Sequence, residues 1–117
     1  MHNFKNLKVW QKSVNLAVKI YHVTANFPAS GKFGMTSQMR RAGVSISSNI
    51  AEGTAKSSSK SFSNSLEISF GERFELETQM IIAEKVNLIS GETAHQLDAD
   101  ISEIQKMIIG FKSTLTT

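Results

Sequence analysis

Apolar residues recur along most of this chain at steps of three and four, the spacing that places side chains on one face of an α-helix. The pattern breaks at Pro28, at Gly53 with the serine-rich run 56–65, and at Gly91. It predicts four helices, at about residues 6–26, 36–56, 61–89 and 92–115. Four long helices with short connections favour one all-α domain over residues 1–117, an antiparallel up-down-up-down four-helix bundle.

The first predicted helix carries two apolar strips. The strip that we expect to face the core consists of Leu7, Trp10, Val14, Ala17, Val18 and Tyr21. The second strip, beside the lysines of the same helix, consists of Val9, Leu16, Ile20 and Val23. A helix in a monomeric bundle needs only one apolar strip, so the second one predicts a surface for association.

The third predicted helix has apolar side chains on most of its sides, including Ile68 and Ile82 away from its main strip. A helix of that kind is buried on most sides, and one bundle of this size does not easily surround it. The chain is therefore predicted to form a homo-oligomer. The predicted interface residues are Val9, Leu16, Ile20, Val23, Ile68 and Ile82.

The second predicted helix mixes small and polar residues with its apolar face. Its polar row consists of Gln38, Ser45, Asn49 and Glu52, to which we assign structural roles. Asn49 is expected to be a buried, hydrogen-bonded amide, and Glu52 to pair with Arg40, Arg41 or a neighbouring amide. Gly43, in the middle of the helix, predicts a close contact with a neighbouring helix, since glycine there is otherwise unfavourable.

Two local features complete the prediction of the helices. Thr36 has the position and chemistry of an N-cap for the second helix. Arg73 and Glu77 are four residues apart on the third helix and are predicted to form an exposed pair. The fourth helix has a coiled-coil-like seam with alternating steps of four and three. That seam consists of Leu97, Ile101, Ile104, Ile108, Phe111 and Leu115.

Charge is distributed unevenly along the chain. Residues 1–60 hold nine Lys or Arg and one acid, a net charge of +8, whereas residues 61–117 hold four Lys or Arg and nine acids, a net charge of −5. Such asymmetry indicates either a basic surface for a partner or self-complementary pairing. The alternative is that a basic helical hairpin packs beside an acidic one within the same chain.

The residue types needed for several chemistries are missing or scattered. The chain has no cysteine, which excludes disulfides, zinc-thiolate sites and thiol nucleophiles. Glu92 and His95 form one Glu-x-x-His spacing, but a di-iron bundle needs two. We therefore expect no enzyme activity, no metal and no cofactor. The first residues lack the apolar run of a signal peptide and no segment has the length of a membrane span, so we expect a cytoplasmic protein without a membrane partner.

Several short motifs resemble those of the 23S ribosomal RNA intervening-sequence protein family. The residues that carry the resemblance are 4–10 (FKNLKVW), Phe27 with Pro28, 38–42 (QMRRA), Ser45 with Ile46, 49–53 (NIAEG) and 75–78 (ELET). One departure is Glu72, where relatives usually carry serine. The resemblance implies a four-helix bundle that assembles as a ring, commonly a homopentamer, with no catalytic residues. A related branch comprises the accessory proteins of diversity-generating retroelements, which bind nucleic acid and a reverse transcriptase.

Three hypotheses about function remain at this point. The first is a non-enzymatic homo-oligomer that binds RNA or DNA through backbone charge, with contacts from a basic first half. The candidate phosphate contacts are Lys8, Lys12, Lys19, Arg40 and Arg41. The second is a protein-interaction scaffold, such as an accessory subunit for a nucleic-acid-processing enzyme. The third, a bundle that holds a metal or a small molecule, requires a buried cluster of carboxylates or a polar cavity.

Overall fold

The computed structural model describes residues 3–28 and 34–115. In these ranges the chain forms four α-helices and no strand, so the predicted all-α class is confirmed. The helices are α1 (Lys8–Thr24), α2 (Met35–Thr54), α3 (Ser59–Lys85) and α4 (Gly91–Ser113). A short 3-10 turn over Phe4–Asn6 precedes α1.

The four helices pack as consecutive neighbours. Each helix lies against the next one in the chain, and α4 also packs against α1, whereas the two diagonal pairs do not approach each other among the described residues. These neighbour relations are those of an up-down-up-down bundle. The bundle measures 46 × 25 × 20 Å, and all four helices contribute to one continuous apolar core along its length.

The apolar seam of α4 lies in the core as its spacing predicts. Leu97, Ile101, Ile104 and Ile108 are almost completely buried, and Phe111 is half-buried beside them. On α2, Met39, Ala42, Ile46 and Ile50 are completely buried as well. In both helices a single apolar strip was available, so the spacing alone identified the buried face.

The third helix ends earlier than predicted, at Lys85. Asn87 adopts the left-handed conformation with φ 63°, and the Leu88 N–H donates to the Ala83 carbonyl at 2.8 Å. The Asn87 N–H donates to the Glu84 carbonyl at 3.0 Å, which completes a Schellman C-cap. Ile89, which follows this turn, is also buried and continues the apolar spacing of the helix. Spacing alone therefore placed the end of the helix at about residue 89.

The prediction of Thr36 as an N-cap was wrong, since α2 begins at Met35 and its N-cap is Gly34 without a side-chain hydrogen bond. The N-caps of the last two helices are serines. The Ser58 hydroxyl accepts from the Ser61 N–H, and the Ser90 hydroxyl accepts from the Thr93 N–H. Both helices thereby satisfy one of the amide groups that a helix start leaves free.

The structure buries residues from both apolar strips of α1 in the core of one chain. Val9, Leu16 and Ile20, predicted to face a second copy, are buried in the core of one chain, and Val23 is half-buried against it. In the strip that we expected to face the core, Ala17 is buried, Leu7 and Trp10 pack against the core, and Val18 and Tyr21 are exposed. The apolar pattern shows that two strips exist, but only the neighbouring helices decide which residues of each strip are buried.

Candidate nucleic-acid and assembly surfaces

Two lysines of α1, Lys12 and Lys19, face acidic side chains of α4. The Lys12 Nζ lies 2.5 Å from the Glu103 Oε1, and the Lys19 Nζ lies 2.6 Å from the Asp100 Oδ2. The hydrogen bond with Glu103, together with its negative charge, raises the pKa of Lys12 above its ordinary value. Two of the five candidate phosphate contacts are therefore neutralised within the chain, as expected for a basic hairpin packed beside an acidic one.

Arg41 is also paired within the chain. Its Nη2 lies 3.1 Å from the Glu75 Oε1 on α3, so a third candidate phosphate contact carries a carboxylate partner. Beside this pair lies Glu72, whose pKa is raised above its ordinary value by burial and then by the neighbouring Glu75 carboxyl, while Arg41 opposes the shift. Glu72 is the position at which the sequence departs from the related motif, and it brings a second carboxyl to the same place.

Lys8 and Arg40 differ from the other three cations. Neither forms an ion pair within residues 3–28 and 34–115. The Arg40 Nε donates to the Thr24 Oγ1 at 2.9 Å, and its guanidinium lies 4.4 Å from the centre of the Tyr21 ring. The structure therefore does not gather the five candidate cations into one patch. Within the described ranges it leaves Lys8 and Arg40 without an acidic partner. Lys8 lies at the start of α1, and Arg40, on α2, lies beside the end of α1.

The polar row of α2 serves local structure. The Asn49 Nδ2 donates to the Ser45 carbonyl at 2.9 Å and to the Ser45 hydroxyl at 3.1 Å, and both residues are half-buried rather than fully buried. Gln38 and Glu52 are exposed. The predicted ion pair of Glu52 is wrong, because Arg40 and Arg41 have the partners described above and no ion pair in the described ranges includes Glu52.

Large apolar side chains remain exposed on the outside of the bundle. On α3, Ile68 is 55% exposed and Ile82 is 43% exposed, so two of the six predicted interface residues lie on the surface of one chain. The other exposed large apolar side chains are Val18 and Tyr21 on α1, Val44 on α2, Phe74, Ile81 and Val86 on or next to α3, and Ile109 on α4. These positions fall on the outer faces of all four helices or beside them.

Arg73 has a different environment from the one predicted. Its side chain is only 3% exposed, so its contact with the Glu77 Oε2 at 3.5 Å is not an exposed pair. The guanidinium lies 3.8 Å from the centre of the Phe74 ring and 4.6 Å from that of Phe70. Contacts of this kind stabilise a cation away from water. The phenylalanines three residues before and one after Arg73 are the signal from which this cluster was predictable.

Two comparisons with known proteins bear on this geometry. A family model described as 23S rRNA-intervening sequence protein matches residues 5–110. The chain belongs to this family. It is also similar to the crystal structure of a protein of unknown function from the S23 ribosomal protein family of Bacteroides thetaiotaomicron VPI-5482, with a TM-score of 0.79 and 31% identity over 89% of this chain and 97% of that one. No curated protein gave a match.

In this family member the motif from Ser45 to Gly53 positions helices. A Cβ atom on Gly53 would lie 2.7 Å from the Phe62 Cδ1 and 3.0 Å from the Ser65 Cβ, distances that are too short for a contact. Gly53 therefore lets the end of α2 approach the start of α3. The close approach at Gly53 and the hydrogen bonds from Asn49 to Ser45 give the residues of this motif roles in helix structure and packing.

The described residues offer neither a metal-binding cluster nor a membrane-spanning helix. No group of three or more His, Asp or Glu side chains is arranged to hold a metal ion in residues 3–28 and 34–115. Glu92 and His95 lie in the first turns of α4, and both are exposed. Within the same ranges no helix is both long enough and apolar enough to cross a membrane.

Proposed function

We propose that this chain is a non-enzymatic subunit of a homo-oligomer and that the assembled form binds RNA or DNA through phosphate contacts. The observation that carries the proposal is the set of large apolar side chains left outside the bundle. Exposed apolar side chains on different faces of one subunit favour a head-to-tail contact, in which two different surfaces meet. Head-to-tail contacts form a ring when the rotation between neighbouring subunits closes, and the family resemblance favours a ring of five.

The strongest part of this surface lies toward the end of α3. Ile82 and Val86 are one helical turn apart and both about half exposed, and Ile68 lies on the same side of the helix. Val18 on α1 and Ile109 on α4 leave apolar side chains exposed on other helices of the same subunit. A ring requires each subunit to offer two different surfaces, one for each of its two neighbours.

The assembly proposal is tested by the mass of the protein in solution. Light scattering coupled to size exclusion is expected to give a multiple of the subunit mass of 12.9 kDa. Ile82→Glu is expected to reduce the mass, because a carboxylate would be buried without a partner in the interface. Ala99→Glu is the matched control, since Ala99 is exposed on α4, and it is expected to leave the mass unchanged.

A wild-type protein that stays at the mass of one subunit, helical and soluble at the highest concentration reached, would contradict the assembly proposal. The nucleic-acid part is tested separately by filter binding to structured RNA and to single-stranded DNA at several salt concentrations. Affinity is expected to fall as salt rises, because neutralised phosphates release their counterions. Binding that is insensitive to salt, or no binding, would remove this part.

A second candidate function is a scaffold or accessory subunit for another protein, such as a reverse transcriptase. It is favoured by the neutralisation of Lys12, Lys19 and Arg41 within the chain, which reduces the charge available for phosphates. A partner that is captured from cell extract and stays bound after nuclease treatment would support it. Capture that nuclease treatment abolishes would support nucleic-acid binding.

A further inference from the structure

A cleft of about 670 Å³ opens between the end of α1 and the start of α2. The residues that line it are Tyr21, Thr24, Ala25, Phe27, Pro28, Thr36, Ser37, Arg40, Arg41 and Val44. Among the described residues, this lining contains two arginines and no aspartate or glutamate. The cleft is therefore positively charged, while the groove between α1 and α4 mixes Lys12 and Lys19 with their acidic partners.

Arg40 is held in this cleft by neutral groups. Its Nε donates to the Thr24 Oγ1 at 2.9 Å, and its Nη2 donates to the Tyr21 carbonyl at 3.4 Å. Thr24 is only 2% exposed, and its own hydroxyl donates to the Ile20 carbonyl at 2.7 Å, which fixes the oxygen that accepts from Arg40. The Tyr21 ring lies against the guanidinium. The orientation of Arg40 is thus set by the end of α1.

The positive charge of Arg40 has no ion-pair partner in the part of the chain that the structure describes. No carboxylate within residues 3–28 and 34–115 pairs with it, and its Nη1 bonds to none of these residues. An arginine that is oriented by neutral acceptors keeps its charge and part of its planar donor set for an added anion. Arg41, also in the lining, forms an ion pair with Glu75. It adds positive charge to the cleft but is less available to an added anion than Arg40.

From this arrangement we infer that the cleft binds a phosphate group, with Arg40 as the direct contact. The half-buried Thr36 places a hydroxyl in the same lining, which is a second donor for phosphate oxygens. Guanidinium and hydroxyl donors are the groups that bind phosphate in nucleic-acid complexes. That the phosphate belongs to RNA or DNA rests on the proposed function. The chemistry of the cleft itself does not depend on it.

The experiment uses the full chain and two probes, inorganic phosphate and a single-stranded oligonucleotide. Backbone and arginine side-chain NMR signals are followed as phosphate is added, and oligonucleotide affinity is measured by fluorescence anisotropy at several salt concentrations. The variants are Arg40→Gln, which removes the charge, and Arg40→Lys, which retains it. The matched control is Lys60→Gln, which removes one exposed cation that forms no ion pair among the described residues.

Phosphate is expected to shift the signals of Arg40 and Thr36 in the wild type and not in Arg40→Gln. Arg40→Gln is expected to lower oligonucleotide affinity about tenfold and to reduce the dependence of log K on log salt by about 0.7 to 0.9. Arg40→Lys is expected to retain the salt dependence with weaker binding, since lysine keeps the positive charge but lacks the planar donor set of a guanidinium. Lys60→Gln is expected to retain the wild-type signal shifts.

The two proposals fail in different ways. If Arg40→Gln, folded by circular dichroism, binds phosphate and oligonucleotide as the wild type does, the cleft proposal is wrong and nucleic-acid binding stands. If Arg40→Gln does not fold, Arg40→Lys decides, since unchanged phosphate shifts and unchanged affinity in that variant overturn a guanidinium contact. If the wild type binds phosphate in the cleft but no oligonucleotide, the cleft proposal stands and the nucleic-acid part of the proposed function is wrong.

Discussion

Two glycines of α2 occupy helix contacts of different closeness. A Cβ on Gly43 would lie 3.6 Å from the Ala17 Cα and 3.6 Å from the Ile20 Cγ1, an ordinary van der Waals contact. A Cβ on Gly53 would lie 2.7 Å from the ring of Phe62, which is itself buried in the core. Gly43 lies beside α1 but leaves room for a Cβ atom, whereas Gly53 does not, so the position that requires glycine is Gly53.

These distances predict opposite effects of the same substitution. Gly53→Ala is expected to lower the free energy of unfolding by about 1–3 kcal/mol, because the Phe62 ring has to move within a packed core. Gly43→Ala is expected to raise it by up to about 1 kcal/mol, because alanine favours the helix and its methyl group fits. Urea unfolding of both variants at one protein concentration checks the pair. A Gly53→Ala variant as stable as the wild type would contradict the assigned close approach.

Glu72 predicts a dependence of stability on pH. Its pKa in the folded protein is raised above the ordinary value of 4.5, first by burial and then by Glu75. The group therefore favours folding below about pH 4.5, and this contribution is lost as pH rises through the raised pKa, where the buried carboxyl ionises. Glu72→Gln is expected to leave the melting temperature unchanged near pH 4 and to raise it at pH 7. Thermal unfolding at both values measures this, with Glu84→Gln as a control for the loss of one charge on α3.

At the scale of the helices, two ion pairs span the contact between α1 and α4. Lys12 and Lys19, two of the candidate phosphate contacts, lie beside α4, where Glu103 and Asp100 pair with them. On the same helix Leu16 and Ile20 lie in the core, and Val18 and Tyr21 are exposed. Some of the excess positive charge of the first half of the chain is thus paired with acidic side chains of the second half within one bundle.

The Lys19–Asp100 pair is suited to a double-mutant cycle. Lys19→Glu and Asp100→Lys are each expected to destabilise the bundle, and their combination is expected to recover most of the loss, because the reversed pair restores opposite charges. For an exposed pair the coupling is expected at about 0.2–1 kcal/mol and to decrease with added salt. Urea unfolding measures it. Lys60→Glu serves as the control, and a coupling of zero at low salt would show that this contact does not orient α1.

At the scale of the whole molecule, assembly and stability are linked. If copies associate through the exposed apolar side chains, the melting temperature is expected to rise with protein concentration, because association stabilises only the folded chains. Ile82→Glu is expected to remove this dependence, and the Ala99→Glu control is expected to retain it. Differential scanning calorimetry over a wide range of concentrations measures the effect, and a constant melting temperature for the wild type would argue for independent subunits.

The periodicity of apolar residues was sufficient for the helices themselves. Four helices, the buried seam of α4 and the buried face of α2 were predictable, because the face of a single helix depends only on spacing along that helix. Helix ends were less predictable. The end of α3 depends on a left-handed Asn87 in place of the usual glycine, and the apolar residues after it continue the helical spacing.

The amino-acid sequence by itself determined the fold class and the family, which rest on spacing and short motifs within single segments. Only the tertiary structure decided which residues of the two strips of α1 are buried and which cations keep their charge for a partner. The physical reason is that burial and charge pairing depend on side chains from helices far apart in the chain, such as Lys19 and Asp100 or Arg41 and Glu75. Arg40 kept its charge because the helix packed beside it, α1, presents it with a hydroxyl and a carbonyl instead of a carboxylate.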